Sequence, residues 1–511
     1  MNRERLKPAV VLAADRTLSA RYSVLFEGIL GTMQTTKLPE PVVRHLLAPA
    51  VKTDRDGRAS AAPLGLRRVE ASLIRDAGLT ARDVVCTTPR RLGQLLGPWV
   101  KLVMFSSSDP LGRGMSNTTT SNFMGGRLYT SLWTRRMLRA VARAKRRFGF
   151  KVAAGGAGAW QLTADGGAAR QLGIDIVFDG YFERSGPALV RDILAGRPVE
   201  GTFVEKETAA DLARPIMAPS VMGAVELSRG CGKGCRFCTM SAKKMEHLPL
   251  ETIVADIETN ASSGVRCAVS ASEDFLRYGS GDGRPDFDRL CGLFEAVRGI
   301  DGLRLVQLDH VNVASVLQLS AGQLEHIASL LRRGGRTGCP WVNMGVESAS
   351  GRLVEANCPR KIRPFRTEDW QQMVHEAVER ISRAGFFPVL SVVLGMPGET
   401  AGDVDLTINL VNTLARRRAA VFPIFYEPPN GNGRFTMGDM TGRHLRLFRT
   451  CYEINFGVIP KLIWDNQTAA GVPLPRKAFY QALGRLQVAY WRKTFGQAER
   501  RIGQAAGGGE N

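Results

Sequence analysis

Three thiols set the chemistry of this chain. Cys231, Cys235 and Cys238 lie in the stretch ELSRGCGKGCRFCTMSAKKM, Glu226–Met245, separated by three and then two residues. Gly230, Gly232 and Gly234 are interleaved with them, which lets the backbone curl tightly around a bound group. The apolar run Val221–Leu227 ahead of them reads as a buried strand ending at Ser228-Arg229-Gly230. Nine cysteines at irregular intervals fit a reducing compartment, where clustered thiols are metal ligands more often than disulfides. A tetrahedral zinc wants a fourth ligand. The nearest, His247, stands nine residues beyond Cys238, behind a Lys-rich segment. An iron–sulfur cube held by three thiolates would instead keep one iron open for a cofactor or substrate.

Two α/β series surround this loop. Before it, strands are expected at Ala9–Ala14, Asp83–Thr87, Leu102–Ser107, Lys151–Ala154 and Asp175–Phe178. Helices are expected at Leu66–Ala77, Arg90–Leu96, Ser131–Phe148 and Gly186–Ala195. Such alternation predicts a doubly wound parallel sheet, with ligands beyond the carboxyl ends of its strands. The residues there are small or polar: Ser106, Ser107 and Ser108 after one strand, Gly155 and Gly156 after the next, and Asp179-Gly180-Tyr181 after the last. Glu27–Pro63 interrupts the pattern and reads as an insertion.

After the loop, strands are expected at Ala268–Ser270, Leu303–Leu308, Trp341–Val346, Phe387–Leu394 and Val421–Tyr426. The helices between them are Glu251–Ser262, Phe287–Val297, Ala321–Leu331, Thr367–Ala384 and Ala401–Leu414. Further helices, Arg443–Phe456 and Arg476–Phe495, precede a Gly-rich tail read as unstructured. Trp464, Tyr480, Tyr490 and Trp491 on these helices read as packing rather than as a substrate box.

The spacing C-x3-C-x2-C, with Phe237 just before the last cysteine, resembles the signature of the radical SAM superfamily. That resemblance implies a [4Fe–4S] cluster on Cys231, Cys235 and Cys238, its open iron chelated by S-adenosylmethionine (SAM). It also implies a partial (β/α)6 TIM-type barrel whose strand ends hold SAM. Glu273, in Ser270-Ala271-Ser272-Glu273-Asp274, would contact the methionyl amino group, although the family's two glycines are Ala and Ser here. Glu347 and Ser348 would hold the ribose. Leu394-Gly395-Met396-Pro397-Gly398-Glu399-Thr400 is similar to the family's Leu-Pro-Gly-Glu-Thr turn, with Gly395 against the adenine and Glu399 and Thr400 serving the turn.

An open α/β domain placed directly before the cysteine loop resembles the cobalamin-binding branch of that superfamily. The resemblance implies a Rossmann-like, flavodoxin-like domain in which Ser106–Ser108 and Gly155-Gly156 flank the cobalamin tail. One motif departs. The family's Asp-x-His-x-x-Gly stands here as Asp15-Arg16-Thr17-Leu18-Ser19-Ala20, so no histidine of this motif is expected on cobalt. His45, the only histidine in the first 205 residues, lies in the helical context VVRHLLAP and reads as structural.

The division implied is a cobalamin-type domain at 1–205, a radical SAM core at 206–435 and a helical extension at 436–511. The expected function is SAM cleavage to a 5′-deoxyadenosyl radical, serving a cobalamin-dependent methyltransferase that acts on an unactivated carbon. A cyclisation, rearrangement or oxidation with the same cofactors is the alternative, and an RNA-modifying or RNA-binding protein is the alternative from another class. Radical SAM methylthiotransferases carry three more cluster ligands ahead of the motif, whereas only Cys86 precedes it here, so a second cluster is not expected. Cys267, Cys291 and Cys451 read as inert core; Cys339 and Cys358 read as loop residues able to face the cavity.

The net charge of +21 raises nucleic acid as a partner. The densest basic group, on Ser131–Phe148, falls opposite an apolar stripe and reads as a solvated helix face, so the expectation is against nucleic acid. The substrate expected is a small molecule, lipid or peptide, with flavodoxin or ferredoxin as electron donor. No run is long and apolar enough to span a membrane, and a cytoplasmic location is the expectation.

Overall fold

The computed structural model describes residues 6–332 and 340–507, with side chains as far as residue 500. Two compact units emerge. The first comprises residues 1–117, 125–229 and 243–268, and the second 118–124, 230–242 and 269–511.

The first unit is built on a parallel sheet of β1 (Val10–Ala14), β2 (Val84–Thr87), β3 (Leu102–Ser106), β4 (Lys151–Gly155), β5 (Ile176–Asp179) and β6 (Gly201–Val204). Their order is β2-β1-β3-β4-β5-β6, the flavodoxin-like winding. Strand side chains alternate between two cores. Val11, Ala13, Val85, Val103 and Phe105 face one side, and Val10, Leu12, Val84, Leu102 and Met104 the other. Burial on both faces is why these strands read as unbroken apolar runs. The register puts Ala14, Ser106 and Gly155 in one row across the sheet. The loops that follow them therefore leave the sheet side by side.

Helices fall within two residues of expectation at Leu64–Asp76, Pro89–Leu95, Tyr129–Phe148 and Gly186–Leu194. The span read as an insertion holds the helix Leu25–Thr32, a short helix Glu40–Val42 and a single π-turn, Val43–Leu47. His45 is exposed on that turn. The run Val221–Leu227 is not one strand. A 3-10 turn at Val221–Gly223, with Met222 at φ 62°, precedes the short strand β7 (Ala224–Glu226). Gly223 has φ +66°, and a Cβ there would overlap the Cys267 carbonyl oxygen, so the chain bends before pairing. Two-residue strands β8 (Ser228–Arg229) and β9 (Glu246–His247) then pair antiparallel.

The second unit contains the rest of the series. β10 (Cys267–Ala271) neighbours β11 (Leu305–Gln307), while β12 (His310–Val311), β13 (Trp341–Glu347), β14 (Phe387–Leu394) and β15 (Ala420–Phe425) form a parallel sheet in that order. A capping box of Thr400 and Asp403 starts the helix Ala401–Leu414. The C-terminal helices are longer than expected, Gly442–Ala469 and Leu474–Gly507. The second includes the first three residues of the tail read as unstructured, while 508–511 and Cys339 lie outside the described residues.

Aromatic side chains on these helices pack inward, as expected for Tyr480 and Trp491. Tyr452 and Trp491 lie 4.4 Å apart, and Phe448 stacks at 3.9 Å on Phe123 from the segment 118–124. Tyr490 is exposed. Among the described residues no helix is long and apolar enough to cross a membrane.

Candidate functional site

In the second unit the three cysteines share a loop that its own backbone closes. Gly230, Gly232 and Gly234 take φ values of 73°, 74° and 77°, a left-handed conformation that side chains resist. The Ser241 hydroxyl donates to the carbonyls of Cys235 and Cys238, each at 2.7 Å. Arg277 donates to the Cys231 carbonyl at 2.9 Å, and the amides of Arg236 and Arg360 tie the loop to the turn at 357–360.

Each thiol has a distinct setting. Burial pushes Cys231 up to about 11 and Cys238 up to about 12, with the Glu273 carboxylate adding to both. Backbone amides oppose the rise, Lys233 at Cys231 and Met240 and Ser241 at Cys238. Cys235 moves the other way, because the Cys358 thiol hydrogen-bonds to it and Lys361 favours its thiolate. Cys358 caps the helix Gly351–Asn357 and is fully buried. The loop cysteine read as able to face a cavity thus meets the cysteine motif.

Among the described residues no three His, Cys, Asp or Glu side chains converge closely enough to hold a single metal ion. A cube uses one thiolate per iron, and three thiols on a glycine-bent loop with amides directed at sulfur suit that donor set.

The strand ends surround the loop with charge. Glu273 follows β10, its carboxyl raised by burial, with His310, Asp309 and Lys361 as neighbours. Asp309 Oδ1 lies 3.1 Å from His310 Nδ1 and accepts from Asn343 Nδ2 at 3.0 Å. Burial alone would lower His310, but Asp309 and then Glu273 lift it from 6.5 to about 9. Its stabilising charge is complete below the unfolded value near 6.5 and is lost as pH climbs through about 9. His310→Gln is expected to flatten the fall of the melting temperature across that window. The side chain is 43% exposed, so solvent keeps the effect modest. Parallel melting curves for parent and variant would contradict this.

Glu347 ends β13 at a bulge, with φ 63°, and pairs with buried Lys361. A Cβ on Gly345 would overlap Glu347 Oε1 and come 2.6 Å from Lys361 Nζ, so glycine leaves room for the pair. Neither Lys361 nor the Asp309–His310 pair was singled out in the sequence. Lys361 reaches Glu347 from fourteen residues away, whereas His310 stands just past an expected strand end, a signal that could have found it.

Other site residues are engaged within the protein. The Ser348 hydroxyl meets Thr407 Oγ1 at 3.1 Å and accepts from the Ser350 amide. Gly395 has φ +78°, and a Cβ there would overlap the Phe435 ring, so this face is covered by Phe435. Its amide donates to Glu399 at 2.8 Å, and Thr400 caps the next helix, so these two serve the turn as expected. Phe237 stands edge-on to Tyr426 at 6.1 Å.

In the first unit the structure brings Ser106–Ser108 and Gly155-Gly156 together. Gly156 has φ +91°, and a Cβ would overlap Ser106 Oγ and lie 3.2 Å from the Ser107 carbonyl oxygen. Ser107 donates to buried Asp15 at 3.0 Å. Burial raises Asp15, against hydrogen bonds from Thr17, Leu18 and Ser107. Thr17 fills the position where the family motif has histidine, and its hydroxyl is spent on Asp15 and Thr130. The turn after β5, Asp179-Gly180-Tyr181, leads to Glu183, which accepts from Arg229, and the Tyr181 ring lies 4.3 Å from the guanidinium.

Residues 225–411 match the family profile of the radical SAM superfamily. Curated relatives include tRNA-2-methylthio-N(6)-dimethylallyladenosine synthases. That of Mycolicibacterium smegmatis is 26% identical over 58% of this chain and 57% of its own length, and that of Trichlorobacter lovleyi 22% over 54% and 60%. The ribosomal protein uS12 methylthiotransferase RimO of Pelobacter propionicus is 25% identical over 50% and 54%. The chain thus spans little more than half the length of these relatives. The radical SAM methyltransferase TsrM of Kitasatospora setae, solved with tryptophan and a SAM analogue, superposes with a TM-score of 0.55. It is 14% identical, over 83% of this chain and 75% of that one, a likeness of fold. Because the curated relatives are named for acting on tRNA or a ribosomal protein, the expectation against nucleic acid gains no support.

Proposed function

From the radical SAM domain this chain carries, we propose a radical SAM enzyme with its cluster on Cys231, Cys235 and Cys238, working as a cobalamin-dependent methyltransferase on an unactivated carbon. When bound, the cluster supplies the electron that cleaves SAM, and cobalamin supplies the methyl group. The chain's own residues bind and orient. Glu273 receives the methionyl amino group, and Glu347, held by Lys361, faces the ribose at the strand end that Ser348 shapes. Gly395 forms the adenine wall together with Phe435, and Phe237 packs beside the cluster. Residues 1–205 hold the corrin, 206–435 form the core and 436–511 extend it, in the cytoplasm, with flavodoxin or ferredoxin as reductant.

The observation carrying the cobalamin half is the row Ala14–Ser106–Gly155, which sets the small-residue loops after β3 and β4 side by side, next to the β1/β3 switch point of the sheet. Thr17 leaves cobalt without a side-chain ligand from this motif. The test is anaerobic loading with iron, sulfide and cobalamin, then desalting and visible spectroscopy. The parent should keep a corrin band. Gly156→Ala, which forces the two loops apart, should lose at least about tenfold in cobalamin affinity, on the order of 1.4 kcal/mol, with iron content unchanged. A parent without a corrin band contradicts the reading.

A second reading keeps the radical chemistry and makes the substrate an RNA, on the strength of the curated relatives. Methylthiolation itself fits less well, because Cys86, the one cysteine ahead of the motif, is buried in β2. Product mass separates the two, a methylene gained against a methylthio group.

A further inference from the structure

The helix Tyr129–Phe148 carries seven Lys or Arg residues and no Asp or Glu. One face is fixed, with Trp133, Met137, Leu138 and Val141 buried in the first unit. Of the cations, Arg136 pairs with Glu40 and Lys145 with Asp175, each at 2.6 Å. Arg135, Arg139, Arg143 and Arg146 are exposed and have no ion pair among the described residues. One other helix neutralises such positions. On Trp370–Arg383, Arg380 pairs with Glu376 and Arg383 with Glu379, each one turn back. Arg146 in the last turn answers the helix dipole, but Arg135, Arg139 and Arg143 lie too far back to do so. Like charges four residues apart destabilise a helix, so this row costs the fold something that its own structure does not return.

We infer that this row is a docking surface for the phosphate backbone of RNA. Four residues advance about 6 Å along a helix, so the row runs about 16 Å from Arg135 to Arg146. Guanidinium groups grip phosphate oxygens in pairs, which suits a linear anion. An anionic membrane fits less well, because the exposed face offers no large apolar side chain to enter the lipid and the apolar face is already buried. Choosing RNA over other phosphate polymers rests on the second reading above; the row itself does not.

The test uses the full chain loaded with iron and a fluorescein-labelled tRNA transcript, with anisotropy followed across a potassium chloride series. The parent should bind with a steep salt dependence. The variant R135A/R139A/R143A/R146A should lose on the order of 100-fold in affinity, with a log–log salt slope shallower by about 3. A control removing the same charge from scattered exposed sites, R55A/R82A/R266A/R434A, should stay within about threefold of the parent. Iron content, read in the same samples, separates loss of the cluster from loss of the ridge. An unchanged ridge variant, an equally weakened control, or tighter binding to phosphatidylserine vesicles or duplex DNA than to tRNA would overturn the inference.

Discussion

Replacing Cys231, Cys235 and Cys238 together by Ala is expected to take the protein from about four irons per chain after reconstitution to none, and to abolish its broad visible absorbance. Among the described residues Cys86, Cys267 and Cys451 are buried elsewhere, and Cys291, read as core, is half-buried on the helix Phe287–Gly299. Cys358 is a neighbour in reach, through its hydrogen bond to Cys235. Cys358→Ser is therefore the discriminating partner variant. It should keep its iron while the triple variant loses it, because three thiolates suffice when SAM completes the fourth iron. Iron retained by the triple variant, or lost from Cys358→Ser, would contradict the three-thiol account.

The second large effect concerns Arg229, the residue just before Gly230. Its guanidinium is 2% exposed and donates to Glu183 at 2.7 Å, Glu226 at 2.9 Å and the Thr208 carbonyl at 3.0 Å. Burial alone would lower its pKa, but the charges of Glu226 and Glu183 raise it well above the ordinary value, and Glu226 is held low in return. Arg229→Ala leaves buried Glu183 without its cation, while Glu226 keeps Arg68 at 3.2 Å, and stranding that one carboxylate costs about 3–5 kcal/mol. Chemical denaturation followed by circular dichroism should show that loss. Arg229→Met combined with Glu183→Leu should recover part of it, since the buried charge is then gone with its partner. A loss below about 1 kcal/mol for Arg229→Ala would mean that Glu183 finds another partner or water.

The sequence foretold the regular elements closely where periodicity was strong. Ala321–Leu331, Phe387–Leu394 and Ala401–Leu414 fall where expected to the residue, because each is a long amphipathic or doubly buried segment. The two-residue strands β8 and β9 are too short to carry a period. At Val221–Gly223 the apolar content suggests a strand, yet Gly223 and the φ 62° of Met222 make a turn.

At the site, the three cysteines, Glu273 and the glycine loops were visible because their types are unusual at their spacing. What stayed hidden depends on contacts distant in sequence. Lys361 on Glu347, Cys358 on Cys235 and the segment 118–124 on Phe448 follow from tertiary packing rather than local pattern. The basic helix was legible as amphipathic. That four of its arginines lack acids could be seen only with neighbouring elements in place.

The central claim is that the cysteine loop of this radical SAM domain opens SAM reductively. The direct measurement is a single anaerobic incubation of the reconstituted protein with SAM and dithionite, quantifying 5′-deoxyadenosine by mass spectrometry. Its formation in the parent, together with its absence from the triple cysteine variant, is the predicted result. Equal amounts from both proteins, or none from a parent shown to hold its full iron, would contradict the account.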